Sequence, residues 1–145
     1  MEAAQTNLVF SGCLTATNQN SPFIFIYNIS LFKKQPEYFK LNILFICSRN
    51  KWRSATAETI YKGNTLHHFR SAGTEPSAVN KVSAKHLNWA DLIFAMEKKH
   101  KQRLTERYPE ETRSKQIVVL DIPDEYQYMD QELVDMILTS VDPYL

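Results

Sequence analysis

Asn42-Ile43-Leu44-Phe45-Ile46-Cys47-Ser48-Arg49-Asn50-Lys51-Trp52-Arg53-Ser54 starts as an unbroken apolar run, turns polar after Cys47, and leads into helix-favouring residues. A short continuous apolar run is what a strand buried on both faces requires, and such strands belong to parallel sheets. Residues 53–62 read as a helix with Ala57, Ile60 and Tyr61 on one face and Gly63 as its stop. Cys47 therefore closes a buried strand, and Arg53 opens a helix.

The same alternation continues outward from this segment. Strand patterns fall at 68–72, 91–96 and 116–120, and helical ones at 83–89, 97–108 (stopped by Pro109) and 130–141. The last helix turns Leu133, Val134, Ile137 and Leu138 inward. Strands alternating with helices imply a parallel sheet between two helical layers. Right-handed crossovers restrict this to a small doubly wound α/β fold with four parallel strands, flavodoxin-like. Ligands of such sheets bind beyond the carboxyl ends of the strands, where Cys47 falls.

Upstream of residue 41 the composition changes. Residues 1–40 are rich in Asn, Gln, Thr and Ser and hold one strand-like apolar run at 23–27. They read as an N-terminal extension, and 41–145 as the functional domain. With 145 residues the chain is sized for one hydrophobic core. A net charge of +1 gives no reason to expect nucleic acid or membrane as a partner. No apolar run reaches the roughly 20 residues that cross a bilayer, and the run at 23–27 lacks the flanks of a signal peptide. Cys13 and Cys47 are too few for a disulfide framework, which points to the reducing cytoplasm.

Cysteine, five residues, arginine and a hydroxyl make physical sense as a phosphate trap. A loop curled around one centre aims successive backbone N–H groups at a tetrahedral anion, and the positive end of the next helix faces the same point. Arg53 supplies two parallel donors to two phosphate oxygens. The same field favours a thiolate at Cys47, with Ser54 as a further donor to sulfur. A thiolate beneath a bound phosphate monoester is poised for in-line attack on phosphorus. Ser48, Arg49, Asn50, Lys51, Trp52 and Ser54 are the candidate substrate-binding residues of the loop. The bland alternative is a buried structural cysteine in a chance match to a short motif.

With its neighbours the segment resembles the active-site loop of the low-molecular-weight protein tyrosine phosphatases. The likeness continues at Ser71-Ala72-Gly73-Thr74, at Ala90-Asp91-Leu92-Ile93-Phe94-Ala95-Met96, and at Ile122-Pro123-Asp124-Glu125-Tyr126, which resembles the late loop with Asp-Pro-Tyr. The resemblance implies a phosphocysteine intermediate and no cofactor. It also implies that Asn50 holds the loop in shape through a hydrogen bond to Ser71. Asn tolerates the left-handed backbone such a bend needs. Two departures stand out: Arg49 replaces the usual glycine two places after the cysteine, and Trp52 a common second cysteine. The segment from Thr74 to Asp91 is also short for the family.

Hydrolysis of an aryl phosphate requires a proton donor for the leaving oxygen. Asp121, Asp124 and Asp142 are the candidates. Asp124 is preferred as the acid because its loop follows the fourth strand on the ligand side, whereas Asp142 lies after the last helix. Tyr126 and Tyr128 either wall a slot for a flat leaving group or pack under the last helix. No histidine has partners at metal-ligand spacing, so no metal site is expected. Lys98-Lys99-His100-Lys101 reads as a solvated helix face.

The resemblance implies a protein tyrosine phosphatase acting on a phosphotyrosine protein or a small aryl phosphate. Three other readings compete. An arsenate reductase on this scaffold needs further cysteines near the site, and only Cys13 is present. A phosphocysteine carrier must retain its phosphoryl group, which Arg53 and a late aspartate oppose. A phosphate-binding module without turnover fits the Asp-Glu-Tyr departure.

Overall fold

The computed structural model describes residues 39–145. Cys13, the apolar run at 23–27 and nearly all of the proposed extension lie outside the described residues. The chain runs β1 (Asn42–Cys47), α1 (Arg53–Tyr61), β2 (His68–Gly73), α2 (Ala84–Trp89), β3 (Leu92–Ala95), α3 (Lys98–Arg107), α4 (Pro109–Thr112), β4 (Gln116–Val119) and α5 (Gln131–Val141). A 3₁₀ turn, Asp142–Tyr144, closes it.

The four strands are all parallel and lie in the order β2-β1-β3-β4. The chain therefore moves outward from β1 to β2, then reverses across β1 to β3. Cys47 ends β1 beside that reversal, the place where doubly wound sheets open a crevice. This is the α/β architecture expected from the alternating pattern. Pro109 does stop the charged helix, but it also starts α4 from its first position, where a missing N–H costs nothing.

Side-chain alternation along β1 divides the core in two. Ile43, Phe45 and Cys47 face α1 and α5, packing with Ala57, Tyr61, Leu133, Ile137 and Val141. Leu44 and Ile46 face the other way, toward Leu87 of α2 and Leu104 of α3. Phe45 stacks on Tyr61, Phe69 and Phe94 at centroid distances of 5.9, 6.0 and 5.6 Å. Burying both faces of β1 fixes its height and direction, and with them the position of the Cys47 sulfur.

Candidate active site

Segment 74–79 shapes the loop between β1 and α1. The carbonyls of Cys47, Ser48 and Arg49 accept hydrogen bonds from the N–H groups of Thr74, Glu75 and Val79, each at 2.9 Å. In a planar trans peptide the N–H points opposite to the carbonyl. The N–H groups of Ser48, Arg49 and Asn50 therefore turn inward, and that of Asn50 reaches Cys47 Sγ at 3.2 Å. The bend falls at Asn50, whose φ of 52° is left-handed. Arg49 is not left-handed, so this loop has no need of glycine there.

A relay of side chains backs the bend. Asn50 Nδ2 donates to Ser54 Oγ at 2.9 Å and to Ser71 Oγ at 2.8 Å, and Ser71 donates in turn to Glu58. Ser54 lies 3.0 Å from Cys47 Sγ. Because Ser54 already accepts from Asn50, its own hydrogen is free for the sulfur. The first turn of α1 has no side-chain cap, so its N–H groups and dipole remain directed at the loop. Asn50 and Ser54 thus make the supporting contacts expected of them, Asn50 to Ser71 and Ser54 to the sulfur, while neither lines the cavity at Cys47, contrary to the substrate-binding reading.

Arg53 is 1% exposed. Its Nη1 donates to Glu97 Oε2 at 2.9 Å and to the Ile122 carbonyl at 2.7 Å, while Nη2 lies 2.8 Å from Asp124 Oδ1. Burial pushes Glu97 up, but hydrogen bonds from Lys99 and then Arg53 outweigh it and hold the carboxyl below its ordinary range. Glu97 was not singled out in the sequence, because an acid at the start of a charged helix looks solvated.

Cys47, Ser48, Arg49, Lys51, Trp52, Arg53 and Asp124 line a cavity of about 60 Å³, little more than room for a small anion. Asp124 is the one acidic candidate that lines it. Asp142 instead accepts a hydrogen bond from Tyr61 at 2.5 Å, where α1 ends. Asp121 borders a shallow hollow with Glu97, Lys98, Lys99 and Pro123. Tyr126 does not line the cavity: its ring packs against the core beneath α5, and its hydroxyl donates to Glu132 at 3.2 Å. Tyr128 pairs with Thr59 at 2.9 Å. Trp52, 37% exposed, is the aromatic group at the rim, with Lys51 Nζ 5.2 Å from its ring centroid.

His100 corrects the reading of a solvated basic face. It is fully buried, with Nε2 2.8 Å from Ser48 Oγ and Nδ1 3.1 Å from the backbone N of Glu97. Burial and then Arg53 bring its pKa down to about 4, against a smaller upward pull from Glu97. A larger hollow of about 550 Å³ borders the amino-terminal end of β2, lined by Glu58, Lys62, His67 and Trp89 among others. It has no nucleophile comparable to Cys47. Among the described residues no cluster of His, Cys, Asp and Glu is placed to hold a metal, and no helix is long and apolar enough to cross a membrane.

No family model matches the chain, and no curated protein matches it either. Solved structures do match. The fold is similar to SP-PTP, a low molecular weight protein tyrosine phosphatase from Streptococcus pyogenes, with TM-score 0.61 and 17% identity over 72% of this chain and 91% of that one. It is similar to the tyrosine phosphatase Wzb from Escherichia coli K30, with TM-score 0.60 and 18% identity over 73% and 96%. It is also similar to the YwlE arginine phosphatase from Geobacillus stearothermophilus, with TM-score 0.58 and 21% identity over 72% and 90%. The fold is that of the low-molecular-weight protein tyrosine phosphatases, as the sequence resemblance implied.

Proposed function

We propose that the protein is a cysteine-dependent phosphomonoesterase, a protein-tyrosine-phosphatase-like hydrolase of the cytoplasm acting on phosphotyrosine proteins or small aryl phosphates. One observation carries this reading. Cys47 Sγ sits within a loop whose N–H groups face inward, 3.0 Å from Ser54 Oγ, in a pocket that also holds Arg53 and Asp124. A thiol, inward-facing N–H groups, a guanidinium and a carboxyl converge on a single small cavity.

In the proposed reaction the Cys47 thiolate attacks phosphorus in line and the bond to the leaving oxygen breaks. Asp124 gives that oxygen its proton. A water then attacks the phosphocysteine while the Asp124 carboxylate takes a proton from it. The P–S bond breaks, and phosphate and thiolate are released. The loop N–H groups and Arg53 stabilise the charge on the phosphoryl oxygens throughout.

The protein neighbours in fold include both tyrosine and arginine phosphatases. The rim supports the aryl ester: Trp52 offers a flat apolar surface and Lys51 is a cation that opposes a guanidinium, whereas Arg49 is paired with Glu75 at 3.2 Å. Hydrolysis of p-nitrophenyl phosphate without added metal tests the reading, together with a comparison of phosphotyrosine and phosphoarginine as substrates. Cys47→Ser is expected to abolish turnover while inorganic phosphate still binds, and phosphotyrosine to be preferred. Full activity in Cys47→Ser overturns the proposal. Phosphate binding by the wild type without any turnover selects the non-catalytic module instead.

A further inference from the structure

His100 is a buried titratable group for which the proposed reaction has no stated use. Its surroundings determine where its hydrogen lies. Nδ1 faces a backbone N–H, that of Glu97 at 3.1 Å, and so must present a lone pair. The hydrogen of the neutral ring is then on Nε2, which donates to Ser48 Oγ at 2.8 Å. A serine hydroxyl has a single hydrogen, and His100 does not use it. Ser48 itself borders the cavity beside Cys47 and Arg53.

We propose that His100 is a positioning residue that orients Ser48 as a hydroxyl donor to the phosphoryl group. The inference rests on the phosphatase reading of the site. By occupying the acceptor side of Ser48 Oγ, the imidazole leaves the hydroxyl hydrogen free for the pocket. The result parallels Asn50 and Ser54, where the amide fills one side of the hydroxyl and its hydrogen turns to sulfur. The two serines thus serve different partners: Ser54 the nucleophile and Ser48 the substrate.

The arrangement needs a neutral ring. The charged groups around it are Arg53 from the phosphate loop, Glu97, Lys99 and Arg103 from its own helix and cap, and Glu75, which pairs with Arg103. Burial and the cations hold His100 neutral above about pH 4. A second proton would sit on Nδ1 and confront the Glu97 N–H, breaking the cap of α3.

The experiment is a double-mutant cycle of Ser48→Ala and His100→Leu. It is read by the inhibition constant of inorganic phosphate and by KM and kcat for p-nitrophenyl phosphate. Each single change is expected to weaken phosphate about tenfold, with the loss larger in KM than in kcat. The double mutant is expected to lose no more than Ser48→Ala alone, because His100 acts through Ser48. Nitrogen-15 chemical shifts of wild-type His100 at pH 6 are expected to show the neutral Nε2–H tautomer, a readout that survives if His100→Leu fails to fold. Unchanged phosphate affinity in Ser48→Ala, additive losses, an Nδ1–H tautomer or an imidazolium overturns the inference. If the wild type neither binds phosphate nor turns over, the phosphatase reading falls and this inference with it. Intact turnover with an unchanged Ser48→Ala removes this inference alone.

Discussion

Arg53 Nη2 and Asp124 Oδ1 lie 2.8 Å apart, joining a side chain that is 1% exposed to one that is 54% exposed. The other guanidinium nitrogen, Nη1, is fixed by Glu97 and the Ile122 carbonyl, so the fork is held by groups below the pocket. In the proposed reaction a phosphoryl group entering the cavity would compete with Asp124 for Nη2. Asp124 is the exposed partner of the pair and Arg53 the buried one. The displaced carboxyl is then the group that serves the leaving oxygen in that reaction.

This exchange predicts how Asp124 acts. Asp124→Asn is expected to slow aryl phosphates with poor leaving groups by about 10²–10⁴ and activated ones far less, because a leaving group that needs no proton gains little from an acid. Asp142→Asn, changed where Tyr61 ties the chain end to α1, is expected to leave the leaving-group dependence as in the wild type. The check is kcat across aryl phosphates of rising phenol pKa. A steeper dependence in Asp142→Asn than in Asp124→Asn would transfer the role.

The burial of His100 predicts a pH dependence of stability. Its folded pKa of about 4 lies below the ordinary 6.5, so between these values the unfolded chain binds more protons than the folded one. Stability contributed by the neutral ring is present above pH 6.5 and is lost as pH falls toward 4. At 1.36 kcal/mol per unit the loss is on the order of 3 kcal/mol. His86, held down by burial and then Arg70, changes stability in the same direction. Glu97 also acts that way, but only below its ordinary 4.5. Urea unfolding from pH 7 to 4 is expected to show a falling midpoint, and His100→Gln to flatten it. An equal slope in His100→Gln would remove the assignment.

The fold was legible because β1 and β3 are apolar on both faces and each is followed by a helix, a pattern only a parallel sheet satisfies. The loop was legible because Cys47, Asn50, Arg53 and Ser54 lie in one local segment. What sequence could not show depends on distant partners. Lys-Lys-His-Lys looks solvated until the packing of α3 on the sheet turns the third residue toward Ser48. Glu97 gains its meaning from Arg53, which is 44 residues away along the chain. Tyr126 reads as a slot wall or as packing under the last helix, and its half-buried ring packs against the core cluster that includes Leu133 and Ile137 of α5. One histidine in the basic run, four residues past the buried strand, was the available hint to His100.

Gly73 gives the last prediction, through close approach rather than backbone freedom. A Cβ there would lie 2.6 Å from the Ser48 carbonyl oxygen, 2.9 Å from the Arg49 carbonyl carbon and 2.6 Å from Ala78 Cβ. Two of the three are backbone atoms of the loop between β1 and α1, which cannot swing aside as a side-chain tip does. Moving them would disturb the outward carbonyls that keep the neighbouring N–H groups turned inward. Gly73→Ala is therefore expected to cost about 1–3 kcal/mol of stability, the usual range for overpacking. It is also expected to weaken inorganic phosphate and lower kcat/KM, although residue 73 does not line the pocket. Gly63→Ala is the control, since a Cβ there meets nothing within 4 Å. Denaturant midpoints and phosphate inhibition constants for both variants decide the matter. If Gly73→Ala loses stability but binds phosphate as the wild type does, β2 does not set the shape of the loop. If it loses neither, the packing of segment 74–79 on the loop is looser than these distances require.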